Sequence, residues 1–144
     1  MQINIEGLTE TCVKFSEMPL KARALNERAL RESAEIEKEA ISFYAPKSKN
    51  HSLSGPKHKG KPRRTPPQHM ANAVPIHNIK VKGDIQQIDV GWHLNDNSLY
   101  VYAKWVNWGT SKMPARNFIK EAKEQTQAEI STVFKNTWAE IGDD

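Results

Sequence analysis

Two stretches of helical periodicity, far apart in the chain and each closed by a breaker, fix most of what this sequence can become. From Leu20 to Tyr44, Leu25, Ala29, Ile36, Ala40 and Phe43 recur at three- or four-residue steps, interrupted at Glu32 and Ser33. Glu27, Arg31, Glu35 and Glu39 fill the other side. Pairs such as Glu27 with Arg31 add only about 0.2–0.5 kcal/mol each, so tertiary packing must hold this helix. Pro46 ends it, because the residue before a proline avoids the helical region. The second helix is expected over Ala115 to Ile141. Its stripe is Ile119, Ala122, Thr126, Ile130, Val133, Phe134, Thr137 and Ile141, stopped by Gly142-Asp143-Asp144.

Between the helices the period changes. Ile76–Val81 and Ile85–Trp92 read as two strands joined at Lys82-Gly83-Asp84. Ile79 and Val81 are expected on one face of the first strand, and Ile88, Val90 and Trp92 inward on the second. Asn95-Asp96-Asn97 predicts a turn, and Pro66-Pro67 can preset a short helix over Gln68–Val74. Leu99–Trp108 is either a third strand or a strand passing into a helical turn, since alternation fails at Ala103–Val106. Near the start, Ile3 and Ile5 alternate as a short strand to Gly7, and Leu8–Met18 can begin a helix limited by Pro19. The expected class is α+β: two long helices packed on a small antiparallel sheet, with a long basic loop between the first helix and the sheet. At 144 residues, one domain over 1–144 is the expectation.

Charge is distributed unevenly. The net charge is +4, yet nine Lys and Arg and no acidic residue lie between Glu39 and Asp84. The densest part is the loop 47–67, where Lys57, Lys59, Lys61, Arg63 and Arg64 alternate with Pro, Gly and His. With almost nothing to bury except Leu53, it reads as an extended, mobile segment. Such a segment can track a phosphate backbone with salt-sensitive, sequence-blind affinity, or dock on an acidic protein neighbour. It has no aromatic residue on which bases could stack.

Little points to catalysis. His51 and His58 lie seven residues apart, a spacing foreign to helical or finger-type metal ligands, and Cys12 is the single cysteine. A nuclease built on His51, His58 or His69 would need those side chains to converge, and His77 and His93 fall at strand ends. Gly83, Gly91 and Gly109 are isolated, so no glycine-rich phosphate loop exists. No cofactor or metal is implied, and the expectation is a non-enzymatic protein. Cys12 reads as a small buried hydrophobe in a reduced, cytosolic site of synthesis. The mean hydropathy is −0.71, and no apolar run could span a membrane or serve as a signal peptide.

The stretch Leu99–Ala122 carries one further message. Tyr102-Ala103, Trp105-Val106, Gly109-Thr110, Pro114-Ala115, Phe118-Ile119 and Ala122 follow one another as an aromatic element, a tight corner and a helix start. This order resembles the phage neck and tail-component family typified by gene product ten of the siphophage Hong Kong ninety-seven. The family's acidic residue two before the Gly-Thr is Asn107 here, and its Pro before the Phe is Asn117. Gly7-Leu8 and Ala45-Pro46 extend the resemblance over most of the chain, while the family's Thr-Gly-Leu after the Ala-Pro is replaced by the basic loop.

The resemblance implies a structural virion protein, made in the host cytoplasm and assembled as a homo-oligomeric ring around the DNA channel. Head connector and tail proteins would be its neighbours. The expected subunit or partner contacts are Trp105, Trp108 and Thr110, because indoles concentrate at interface hot spots. Lys57, Lys59, Lys61, Arg63 and Arg64 are the expected contacts to DNA or an acidic partner. The alternative is a small nucleic-acid-binding accessory protein acting through the basic loop, with no virion role.

Overall fold

Helix α1, Leu20–Tyr44, and helix α3, Phe118–Gly142, pack side by side. They run antiparallel: Arg28 pairs with Glu140 near one end, and Glu37 meets Thr126 nearer the other. The computed structural model describes residues 20–50, 52, 55–83, 85–93, 95–96 and 98–142. The strand and helix expected over 3–18, together with Cys12, His51, Leu53 and Asp84, lie outside the described residues.

The fold is α+β. Strands β1 (Lys80–Lys82) and β2 (Ile85–Gln87) form an antiparallel hairpin, with Lys80 opposite Gln87 and Lys82 opposite Ile85. Closer to the core, Ile76 bridges Val90, His77 N–H donates to Asp89 O at 2.9 Å and Gly91 N–H to Pro75 O at 2.8 Å. The two pairings differ in register by one residue, the extra one falling in segment 77–79, which is the signature of a bulge. Both strands are therefore shorter than the alternation predicts. Ile88, Val90 and Trp92 are buried as expected, whereas Val81 is exposed: the hairpin tip extends past the core, where Ile85 is exposed as well. The predicted short helix over 68–74 contracts to a 3-10 turn, Met70–Asn72.

The core lies where α1 and α3 meet the bulged strands. It contains Leu30, Ile41, Met70, Val74, Ile88, Val90, Trp92, Phe118 and Ile119, with small Ala34, Ala103 and Ala122 letting backbones approach. The stripe expected on α3 is the buried one at Ile119, Ala122, Thr126, Ile130 and Thr137. On α1 the buried face is rotated from the expected one. It follows the i, i+4 row Ala29, Ser33, Glu37, Ile41 and Ala45, while Leu25 and Ile36 are half-buried and Phe43 is 76% exposed. Two members of the row are polar, so counting apolar residues tilts the stripe toward Ile36 and Phe43.

Glu37 is only 1% exposed, and its environment dictates its charge. Its Oε2 lies 2.7 Å from Thr126 Oγ1, which is also 2.9 Å from Ala122 O. A hydroxyl has one proton to donate. A neutral Glu37 satisfies the trio: its O–H donates to Thr126, which donates onward to Ala122 O. An ionised Glu37 would make Thr126 choose. Burial raises the Glu37 pKa above the ordinary carboxyl value, opposed only in part by the Thr126 bond and the Lys123 charge. Among the described residues, Glu37 Oε1 and Ser33 Oγ have no hydrogen-bond partner.

Candidate functional site

A tight corner joins the short helix α2, Ala103–Trp108, to α3. The described residues of the segment 96–108 run through turns into helix at Ala103, with no third strand among them. Asp96 begins it, its carboxylate accepting from Ser98 N–H at 2.9 Å and Ser98 Oγ–H at 2.7 Å. Gly109 ends α2 at φ 77, ψ 177, a region that residues with a Cβ rarely adopt. A Cβ there would lie 2.6 Å from Ala115 N and 2.8 Å from Met113 O. Thr110 and Met113 then exchange backbone hydrogen bonds, and Thr110 Oγ1 accepts from Lys112 N–H at 3.2 Å.

The returning limb of the corner is stitched to the end of α2. Arg116 N–H donates to Val106 O at 3.1 Å and Asn117 N–H to Asn107 O at 2.9 Å, satisfying carbonyls that a helix end leaves open. Asn107, buried, turns its Oδ1 to Ile119 N–H at 3.1 Å. It thus caps the first turn of α3 from across the corner, a role usually played by the residue just before the helix. Asn117 takes φ 50 and supplies an N–H. Proline can do neither, so α3 starts at Phe118, three residues later than the periodicity predicts, by a route that the family's Pro could not follow.

Asn107→Ala is expected to cost about 1–3 kcal/mol by leaving the Ile119 N–H without its acceptor. Asn107→Asp, which keeps an oxygen at a helix N-terminus, should recover most of that loss. Chemical denaturation of both variants measures this, and equal losses would rule out the capping role.

The corner presents Trp105 and Trp108 one turn apart on α2, each 48% exposed. The Lys104 ammonium sits 5.7 Å from the Trp105 ring centre. Thr110 is exposed beside them. Trp92 has a different role: it is buried against Phe118, edge to face at 6.5 Å between ring centres. Trp138 is half-buried on α3.

The basic residues lie elsewhere, on the connection from α1 to the 3-10 turn. The segment is not simply extended. Arg64 N–H donates to Pro56 O at 3.1 Å, Arg63 donates to Gly55 O at 2.8 Å, and Lys61 N–H donates to His58 O at 3.1 Å. Gly55 permits the reversal at φ 93, where a Cβ would lie 2.2 Å from Arg64 O. Lys57, Lys59, Lys61, Arg63 and Arg64 are all exposed, while Pro66 is fully buried and anchors the loop's foot.

The described histidines do not converge. His58 is exposed on the basic loop, and His69 Nε2 accepts from Ser48 N–H at 2.8 Å, tying the start of the loop to the 3-10 turn. The His77 and His93 rings lie tilted against each other at 45° with centres 4.1 Å apart, His77 Nε2 lying 2.8 Å from Gly91 O. Burial and the neighbouring His77 hold the His93 pKa below its ordinary value, against the pull of Asp89. Asp89 is buried, with Oδ2 accepting from Lys80 Nζ at 2.8 Å and Oδ1 from Gln87 Nε2 at 2.6 Å. Among the described residues no three His, Cys, Asp or Glu side chains are placed to hold a metal ion. No helix among them is long and apolar enough to cross a membrane.

Sequence reasoning missed Asn107, Glu37 and Asp89. Asn107 stands where the resembled family has an acid, which was the available signal. Compared with protein-family models, curated proteins and solved structures, the chain matches none of them.

Proposed function

We propose that this chain is a structural, non-enzymatic subunit of a tailed-phage neck, one copy of a homo-oligomeric ring around the DNA channel. It is made in the host cytoplasm and ends in the virion, between head connector and tail proteins. The reading starts from the Gly109-Thr110 corner, which carries the resemblance. The observation supporting it most is the pair of half-exposed indoles fixed on that corner. Each leaves on the order of 100 Å² of surface to cover, worth about 2–3 kcal/mol at roughly 25 cal/mol per Å². Head-to-tail contacts that close by rotation produce a ring, and such contacts pair two different surfaces.

Electron microscopy of particles made without this gene tests the reading. DNA-filled heads beside separate, finished tails are expected, and normal virions would overturn it. Within that reading, Trp108→Ala should weaken subunit association by about 30-fold or more, the scale of losing a hot-spot side chain. Sedimentation of parent and variant at matched concentrations measures this. A variant that assembles like the parent removes Trp108 from the interface.

A further inference from the structure

We infer that the closed basic loop, 55–64, is a duplex-DNA contact that grips the phosphate backbone without reading sequence. The loop's geometry, not its composition alone, carries the inference. Arg64 N–H to Pro56 O and Arg63 to Gly55 O close its neck, and Gly55 brings the two limbs together at a distance that no side chain would tolerate. Buried Pro66 fixes the foot. Lys57, Lys59, Lys61 and Arg64 therefore project from a short closed loop rather than from a freely sampling tail. None of the four forms an ion pair with a carboxylate among the described residues. Arg63 differs in being tied to the loop's own backbone.

Preorganised cations with nothing to neutralise them fit a polyanion of regular charge spacing. An acidic protein surface fits less well. Interfaces between proteins are anchored by aromatic and large apolar side chains and are depleted in Lys, and residues 55–64 contain no such anchor. Single strands are disfavoured too, because residues 55–64 contain no Phe, Tyr or Trp as a stacking platform. The inference does not depend on the neck reading, although a ring around DNA would give the loop its ligand.

The test is binding of the purified full-length chain to two unrelated 30-base-pair duplexes, followed by fluorescence anisotropy between 50 and 200 mM salt. With about four phosphates neutralised, affinity should fall roughly a hundredfold across that range and be equal for the two duplexes. The variant carrying Lys57→Gln, Lys59→Gln, Lys61→Gln and Arg64→Gln keeps the Arg63 tie. It should melt like the parent and lose at least 30-fold in affinity at 50 mM salt, with most of the salt dependence gone. No binding by the parent at 50 mM salt overturns the inference, as does a variant that binds like the parent. Tighter binding to polyglutamate than to duplex also overturns it and assigns the loop to an acidic protein surface. None of these outcomes touches the particle-microscopy result, so failure here and failure of the neck reading are separately visible.

Discussion

Gly109→Ala is expected to destabilise the folded chain by about 3 kcal/mol or more, measured as a lower urea midpoint at unchanged slope. Two effects add. The backbone at φ 77, ψ 177 lies in a region that is essentially glycine's alone. The new methyl would also sit 2.6 Å from Ala115 N and 2.8 Å from Met113 O, both backbone atoms with no rotamer to yield. Relief requires the corner to open, which pulls Arg116 and Asn117 away from the end of α2 and Ile119 from Asn107. A loss below about 1 kcal/mol would mean that the corner can relax without cost, and the rigid presentation of Trp105 and Trp108 would fall with it.

The second large effect has the opposite sign. Glu37→Leu should stabilise the chain by about 1–3 kcal/mol, because a buried polar group with an unpartnered oxygen is exchanged for a side chain with no such need. Thr126 keeps Ala122 O as its acceptor. A chain of this size should then melt roughly 3–10 °C higher. The pH dependence supplies an independent reading. Below the ordinary carboxyl value of 4.5 the folded and unfolded chains both keep the Glu37 proton. Above it the unfolded chain releases the proton first, so stability falls with rising pH until the folded Glu37 ionises as well.

Asp89 runs the other way. Burial pushes its pKa up, but the hydrogen bonds from Lys80 and Gln87, with the Lys80 charge, outweigh it and the net shift is downward. Its contribution is present above 3.8 and is lost as pH falls through its folded value. Glu37→Leu should therefore remove the loss toward higher pH and leave the loss on the acid side. A variant less stable than the parent would show that Glu37 is a favourable element of the helix seam.

The two long helices were legible because each presents apolar residues at helical spacing over many turns. The rotation of α1 was not, since Ser33 and Glu37 sit in the buried row and only packing against Thr126 reveals it. Strand existence was legible from alternation, but the one-residue bulge was not. It lies in the change of register between the Ile76–Val90 bridge and the Lys80–Gln87 pair, which alternation along a single strand does not encode. The corner was half legible: Gly109 announced the turn, whereas the bond from Asn107 to Ile119 joins residues twelve apart through a side chain. The basic residues were plain in the sequence, and their closure into a loop was not, because it rests on backbone bonds between Gly55–Pro56 and Arg63–Arg64.

The stitching of α2 to α3 also defines a path for mechanical load. A pull on the indole pair enters α2, crosses three hydrogen bonds at Val106 and Asn107, and reaches α3 at its first turn. At about 1.5 Å per residue, α3 then carries that tension over roughly 37 Å, alongside α1 for much of the way. All three bonds join the end of α2 to residues 116–119, so they share that load. The corner is thus a shear joint, in which force spreads along a helix pair instead of peeling one contact at a time.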